Sequence, residues 1–174
     1  MKTLKQHKNI ALSDKDVLKL VENKARIVTY RELHKFKTLD ELLRPYGAIF
    51  LLYESQKNYG HWCALFKTTP NMVEFFDPYG KFIDDQLEYI PVNFRKISNQ
   101  DYPHLTALLY NSKYNLSYNQ YPFQKLKDNI KTCGRWTALR IMFRDMPLDD
   151  FAKLFNNSDS DNLATLLTLF DLPY

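Results

Sequence analysis

The chain has 174 residues, enough for one domain with a sizeable core; 45% hydrophobic and 15% aromatic content with four glycines excludes a disordered or fibrous protein. No apolar run approaches the roughly 18 residues of a membrane span, and Cys63 and Cys133 alone cannot form a disulfide framework. The formal charge of +4 is uneven, because residues 1–37 hold ten Lys/Arg against four Asp/Glu, or +6, leaving −2 for the rest.

The N-terminus, Met1-Lys2-Thr3-Leu4-Lys5, lacks the apolar stretch of a secretory signal, so an intracellular protein is expected. The basic first third suits weak contact with DNA or an acidic partner. The plainer reading is a solvated helical face, since no Arg-rich or aromatic-interleaved run is present.

Ser13-Asp14-Lys15-Asp16 signals a helix start, with Val17, Leu18, Leu20 and Val21 at helical spacing. Residues 27–30 form a short β-like run. Thr38 and Glu41 have capping-box spacing for a helix that ends before Pro45. Ala48 to Tyr53 is continuously apolar and of strand length, which predicts a buried central strand. His61–Phe66 and Met72–Asp77 read as a hairpin around Lys67-Thr68-Thr69-Pro70-Asn71. Pairing Phe66 with Met72 sets His61 opposite Asp77, where Cβ atoms lie about 4.5–5.5 Å apart, within side-chain hydrogen-bonding reach. A strand is expected near 87–90, a turn at Pro91, and a helix over 101–109 with Pro103 in its first turn. Residues 115–123 are polar and aromatic. Thr132 then caps a helix running to about Arg144 and ended by Pro147, and two short helices, 148–155 and 162–170, close a single α+β domain spanning 1–174.

Thr132-Cys133-Gly134-Arg135-Trp136 carries the chemistry. A thiol with a free pKa of about 8.5 needs a base and a favourable field to become a nucleophilic thiolate. A helix N-terminus supplies the field, a histidine the base, and a carboxylate fixes the histidine's tautomer and orientation. Cys133, His61 and Asp77 fit these roles, which points to a cysteine hydrolase. Each has a plainer reading: Cys133 as an inert buried thiol, His61 as a half-buried histidine, Asp77 as a turn former. A metal centre of His61, Cys63, Asp77 and Cys133 is the rival arrangement, but the spacing matches no common zinc pattern, and no metal is expected.

Gly60-His61-Trp62, Phe76-Asp77-Pro78-Tyr79-Gly80 and Thr132-Cys133-Gly134-Arg135, in this order, resemble the adenovirus-protease and Ulp1 superfamily of cysteine proteases. The likeness is greatest to the capsid-maturation proteases of virophages, polinton-like elements and large DNA viruses, and it covers residues 12–155. The resemblance implies a central mixed β-sheet with flanking helices, and Cys133 heading a buried helix. It makes Cys133 the nucleophile, His61 the base and Asp77 its orienting acid. It also implies an upstream glutamine as oxyanion-hole donor. Gln124 and Gln120 are the candidates; Gln124 is chosen although its gap to Cys133 is longer than usual. Trp62 is expected to wall the substrate groove, or else to serve as a core aromatic. No cofactor is needed. The implied partners are capsid precursor polypeptides, with weak DNA binding through the basic N-terminal third, in an infected cell and the virion. A deconjugating protease for a ubiquitin-like modifier and an inactive binding protein are the competing readings.

Overall fold

The computed structural model describes residues 1–156 and 159–169. A five-stranded mixed sheet, in the order β1-β2-β3-β4-β5, divides helices into two layers. Strands β1 (Arg26–Thr29), β2 (Ala48–Gln56), β3 (Tyr59–Thr69), β4 (Met72–Phe76) and β5 (Asn115–Tyr118) follow chain order. The outer pairs β1–β2 and β4–β5 are parallel, and the central pairs are antiparallel. Helices α1 (Leu4–Lys8), α2 (Asp14–Leu20), α3 (Leu39–Leu43), α4 (Val92–Ile97), α5 (His104–Tyr110), α6 (Cys133–Met142), α7 (Leu148–Leu154) and α8 (Ser160–Leu167) surround it, with 3-10 helices at Tyr30–Lys35 and Asp85–Tyr89.

Alternation along β3 explains the two layers. Trp62, Ala64 and Phe66 face a core shared with Val17, Leu20, Trp136, Leu139 and Phe151, which buries α2, α6 and α7. Cys63 and Leu65 face the opposite core with Tyr30, Leu42, Phe75 and Leu105. One buried ion pair joins α6 to the sheet: Arg140 donates from Nε and Nη2 to the two Glu74 carboxylate oxygens at 2.8 and 2.9 Å. Its guanidinium also lies 5.2 Å from the Phe66 ring and 5.1 Å from the Phe151 ring.

The caps follow local chemistry. Ser13 and Asp16 form a reciprocal capping box at α2. At α3 the Thr38 hydroxyl accepts from Glu41 N, whereas the Glu41 carboxylate accepts from Lys37 N. Several expectations differ from the structure, among them the helix over 101–109, which is α5 at His104–Tyr110 with Pro103 just ahead of its first turn. The segment expected as a strand near 87–90 is the 3-10 helix, and the Pro91 turn opens α4, because proline's fixed φ suits a helix start. Residues 115–118 form β5, whose parallel partner β4 lies far away in sequence and leaves no local signal. The five-residue helix α1 was also not expected. Phe170, expected in the last helix, and residues 157 and 158, expected in the preceding loop, lie outside the described residues.

Hairpin register also shifts. The strands run on to a two-residue turn at Pro70 and Asn71, with a bulge between Lys67 and Thr69. Ala64 pairs with Phe76 and Leu65 with Phe75, so extending the ladder brings Asp77 level with Cys63, two residues from His61. A slip of two preserves every side chain's face, where a slip of one would have reversed it.

Candidate active site

His61 lies beyond the last β3–β4 pair, Ala64–Phe76, where β3 has no β4 neighbour. Asp77, the first residue after β4, lines that notch. The His61 Nε2 to Asp77 Oδ1 distance is 2.7 Å, so the diagonal placement is bridged by the length of the imidazole. Asp77 is fully buried and its oxygens are surrounded by donors. Tyr79 N donates to Oδ1 at 2.8 Å, and Gln86 Nε2 donates to Oδ2 at 2.6 Å. Asn119 brackets the Asp77 backbone, accepting from its N–H and donating to its carbonyl. A carboxylate so provided with donors is held in one orientation.

Cys133 is the first residue of α6, and its thiol lines one cavity with the His61 ring. Burial alone would raise the thiol pKa. The His61 hydrogen bond and charge, with backbone hydrogen bonds from Trp62 and Gly134, outweigh it and hold the thiol below its ordinary value. Burial alone would lower the His61 pKa; the Asp77 charge and hydrogen bond, together with Cys63 and Cys133, hold it well above its ordinary value. The two shifts favour a thiolate–imidazolium pair, to which the helix N-terminus adds a favourable field. Gly134 allows the close approach: a Cβ there would lie 3.1 Å from Trp62 Cδ1 and 3.2 Å from Leu12 Cβ and Val17 Cγ1.

Tyr79 stacks on His61 with ring centroids 4.6 Å apart and an interplanar angle of 12°. Its hydroxyl lies 3.3 Å from Gln124 Nε2, which also donates to Ile130 O at 3.1 Å. Gln124 Oε1 is buried without a hydrogen-bond partner. His61, Cys133 and Gln124 line one cavity of about 190 Å³ with Tyr59, Gly60 and Tyr79. Gln120 does not line it. Trp62, expected at the groove, packs in the core, donating from Nε1 to Leu12 O at 3.2 Å and meeting Phe50 edge-on. It supports the notch from behind.

The sequence reading missed the residues that hold these groups. Asp161, fully buried at the start of α8, accepts from Thr132 Oγ1 at 2.7 Å, Trp136 Nε1 at 2.9 Å and Lys125 N at 3.0 Å. It thus ties the entry of α6 to the residue after Gln124. Thr132 caps no backbone N–H, and its hydroxyl goes to Asp161 instead. Gln86, Asn119 and Asp161 stand 9, 42 and at least 25 positions from the groups they serve, so no local motif announces them.

His61, Cys63 and Asp77 bring one ligand atom each within 4.8 Å of one another, the one such trio among the described residues. The chemistry does not suit a metal. Both Asp77 oxygens already accept hydrogen bonds, and burial with the Asp77 charge pushes the Cys63 thiol up to about 12, which keeps it protonated.

The chain is 45% identical over 175 residues to uncharacterized protein V9 of Sputnik virophage, a match covering 97% of this chain and all of that protein. It belongs to the family of that virophage protein. No protein-family model matches the chain. Among solved structures, the central domain of the uncharacterized protein Lpg1148 from Legionella pneumophila aligns with a TM-score of 0.43 at 18% identity, over 91% of this chain and 93% of that one. Neither fold nor function transfers at that level.

Proposed function

We propose that this chain is a viral cysteine endopeptidase that cleaves capsid or other virion precursors during particle maturation. One observation carries the reading: an imidazole hydrogen-bonded to a buried carboxylate shares one cavity with the thiol that heads a helix. Kinship with a virophage protein supplies the viral setting.

The Cys133 thiolate attacks a peptide carbonyl, with its proton already on His61. The Cys133 N–H and the Gln124 amide stabilise the oxyanion, each donor contributing on the order of 3 kcal/mol. For this, Gln124 Nε2 exchanges its long contact with the Tyr79 hydroxyl for the oxyanion. His61 then protonates the leaving amine as the C–N bond breaks, leaving a thioester. Water attacks the thioester as His61 takes its proton, and the C–S bond breaks to restore the thiolate. Asp77 holds the ring throughout.

The test combines a peptide-based thiol-reactive suicide probe, read by intact mass, with incubation of the virus's own capsid precursors. One adduct on the wild type and none on Cys133→Ala, together with Cys133-dependent precursor cleavage, is the expected result. Adduct formation with cleavage only of ubiquitin-like modifier fusions would replace maturation by deconjugation. No adduct would remove the protease reading.

A further inference from the structure

A second cleft opens beside the thiol. It has a volume of about 670 Å³ and shares Tyr79, Gln86, Tyr89 and Gln124 with the cavity that holds His61 and Cys133. Its floor is aromatic and apolar, with Phe123 beneath and Leu126 on the rim. Charge is one-sided. Lys81, Lys125 and Lys127 line this cleft and Lys131 lines the catalytic cavity, whereas among the described residues no Asp or Glu lines either. Asp77 and Asp161 lie nearby but are fully buried, and their oxygens accept protein donors. A buried acceptor, Gln124 Oε1, stands without a partner where the two cavities meet.

We infer that this cleft binds an extended acidic peptide segment, so that the enzyme selects substrates carrying Asp or Glu within a few residues of the scissile bond. The inference rests on the protease reading for its cleavage step, but not for its binding step. The ammonium groups of Lys81, Lys127 and Lys131 face the peptide's carboxylates, the apolar floor takes an intervening aliphatic side chain, and Gln124 Oε1 accepts a peptide N–H. A lysine-lined rim attracts such a segment.

The experiment has two arms. Proteome-derived peptides are digested and cleavage sites are read by mass spectrometry. In parallel, fluorescence anisotropy measures binding of labelled Asp/Glu-containing and isosteric Asn/Gln-containing peptide pools to the Cys133→Ala protein. Rim ion pairs are individually weak, so a roughly threefold to tenfold preference for acidic sequences is expected in both arms. The preference should collapse toward unity in Lys125→Glu/Lys127→Glu, with far-UV circular dichroism checking the fold, and in Lys81→Gln if that double variant does not fold. Cleavage with no acidic preference, or a preference unmoved by these variants, overturns the inference and leaves the protease. Binding preference without any cleavage keeps the cleft assignment and removes the protease. Neither cleavage nor binding removes both. Displacement of the acidic pool by a DNA duplex at equal charge concentration, with no preference in cleavage, would assign the lysines to nucleic acid and overturn the inference.

Discussion

Two cysteines in one site meet opposite environments. The Cys133 thiol is held low by His61 and backbone donors; Cys63, one β3 position past Trp62, is pushed up to about 12 by burial and the Asp77 charge. Iodoacetamide near neutral pH is therefore expected to label Cys133 and leave Cys63 unmodified, which peptide mapping reads directly. Labelling of Cys63 first would reverse the nucleophile assignment. The pH dependence has a definite sign. The thiolate persists as pH falls below the ordinary thiol value of about 8.5, and is lost as pH drops through the lowered Cys133 value. His61, raised, stabilises the fold fully below its unfolded value of about 6.5, and that contribution is lost as pH rises through the folded value. Asp77→Asn removes the charge that raises His61. Its alkylation rate at pH 7 should fall, and the rate–pH curve should move toward the ordinary thiol position. A curve unchanged in Asp77→Asn would detach Asp77 from the site.

At the scale of elements, the site depends on where α6 begins relative to β3 and the Gln124 loop. Asp161 fixes that relation through Thr132, Trp136 and the Lys125 N–H. In Asp161→Asn one acceptor oxygen becomes a donor that faces another donor, at a cost of about 1–3 kcal/mol. The expected outcome is a folded protein with a lower melting temperature and a lower kcat at little-changed KM. A drop in KM alone would deny Asp161 this positioning role. Gly134→Ala presses a methyl against Trp62, Leu12 and Val17, and overpacking of this kind costs about 1–3 kcal/mol. Slower Cys133 labelling should accompany that loss, because the displaced end of α6 carries the thiol away from His61. Capping at Ser13 and Thr38, the apolar run of β2 and the start of α6 were all legible in the sequence, since caps and periodicity are local. The register of β3 on β4 was not: a bulge and a shorter turn, set by how the ladder packs, moved it by two residues.

Across the whole molecule, the Arg140–Glu74 pair holds the helix layer to the sheet. Glu74→Gln strands a buried guanidinium, and breaking one partner of such a pair costs about 3–5 kcal/mol, roughly 10 °C in melting temperature for a domain of this size. Thermal denaturation checks it, and Glu74→Leu/Arg140→Met should recover most of the loss. The basic first third is less free than its composition implies. Lys8, Lys24, Arg31 and Lys35 form ion pairs with Asp159, Glu22, Glu54 and Glu32. DNA binding through this third, a proposal still, is then limited to the six cations outside those four pairs at most, and log K against log salt should be no steeper than about −5. Anisotropy with a duplex between roughly 50 and 200 mM salt measures that slope. By itself the sequence determined the α+β class and most element boundaries and named His61, Asp77 and Cys133 as candidates, because residue type, spacing and capping chemistry are properties of neighbouring positions. Tertiary structure decided that His61 meets Asp77 diagonally across a notch, that Trp62 belongs to the core, and that Gln86, Asn119 and Asp161 hold the site. Those contacts join segments distant along the chain, and only packing around a common sheet brings them together.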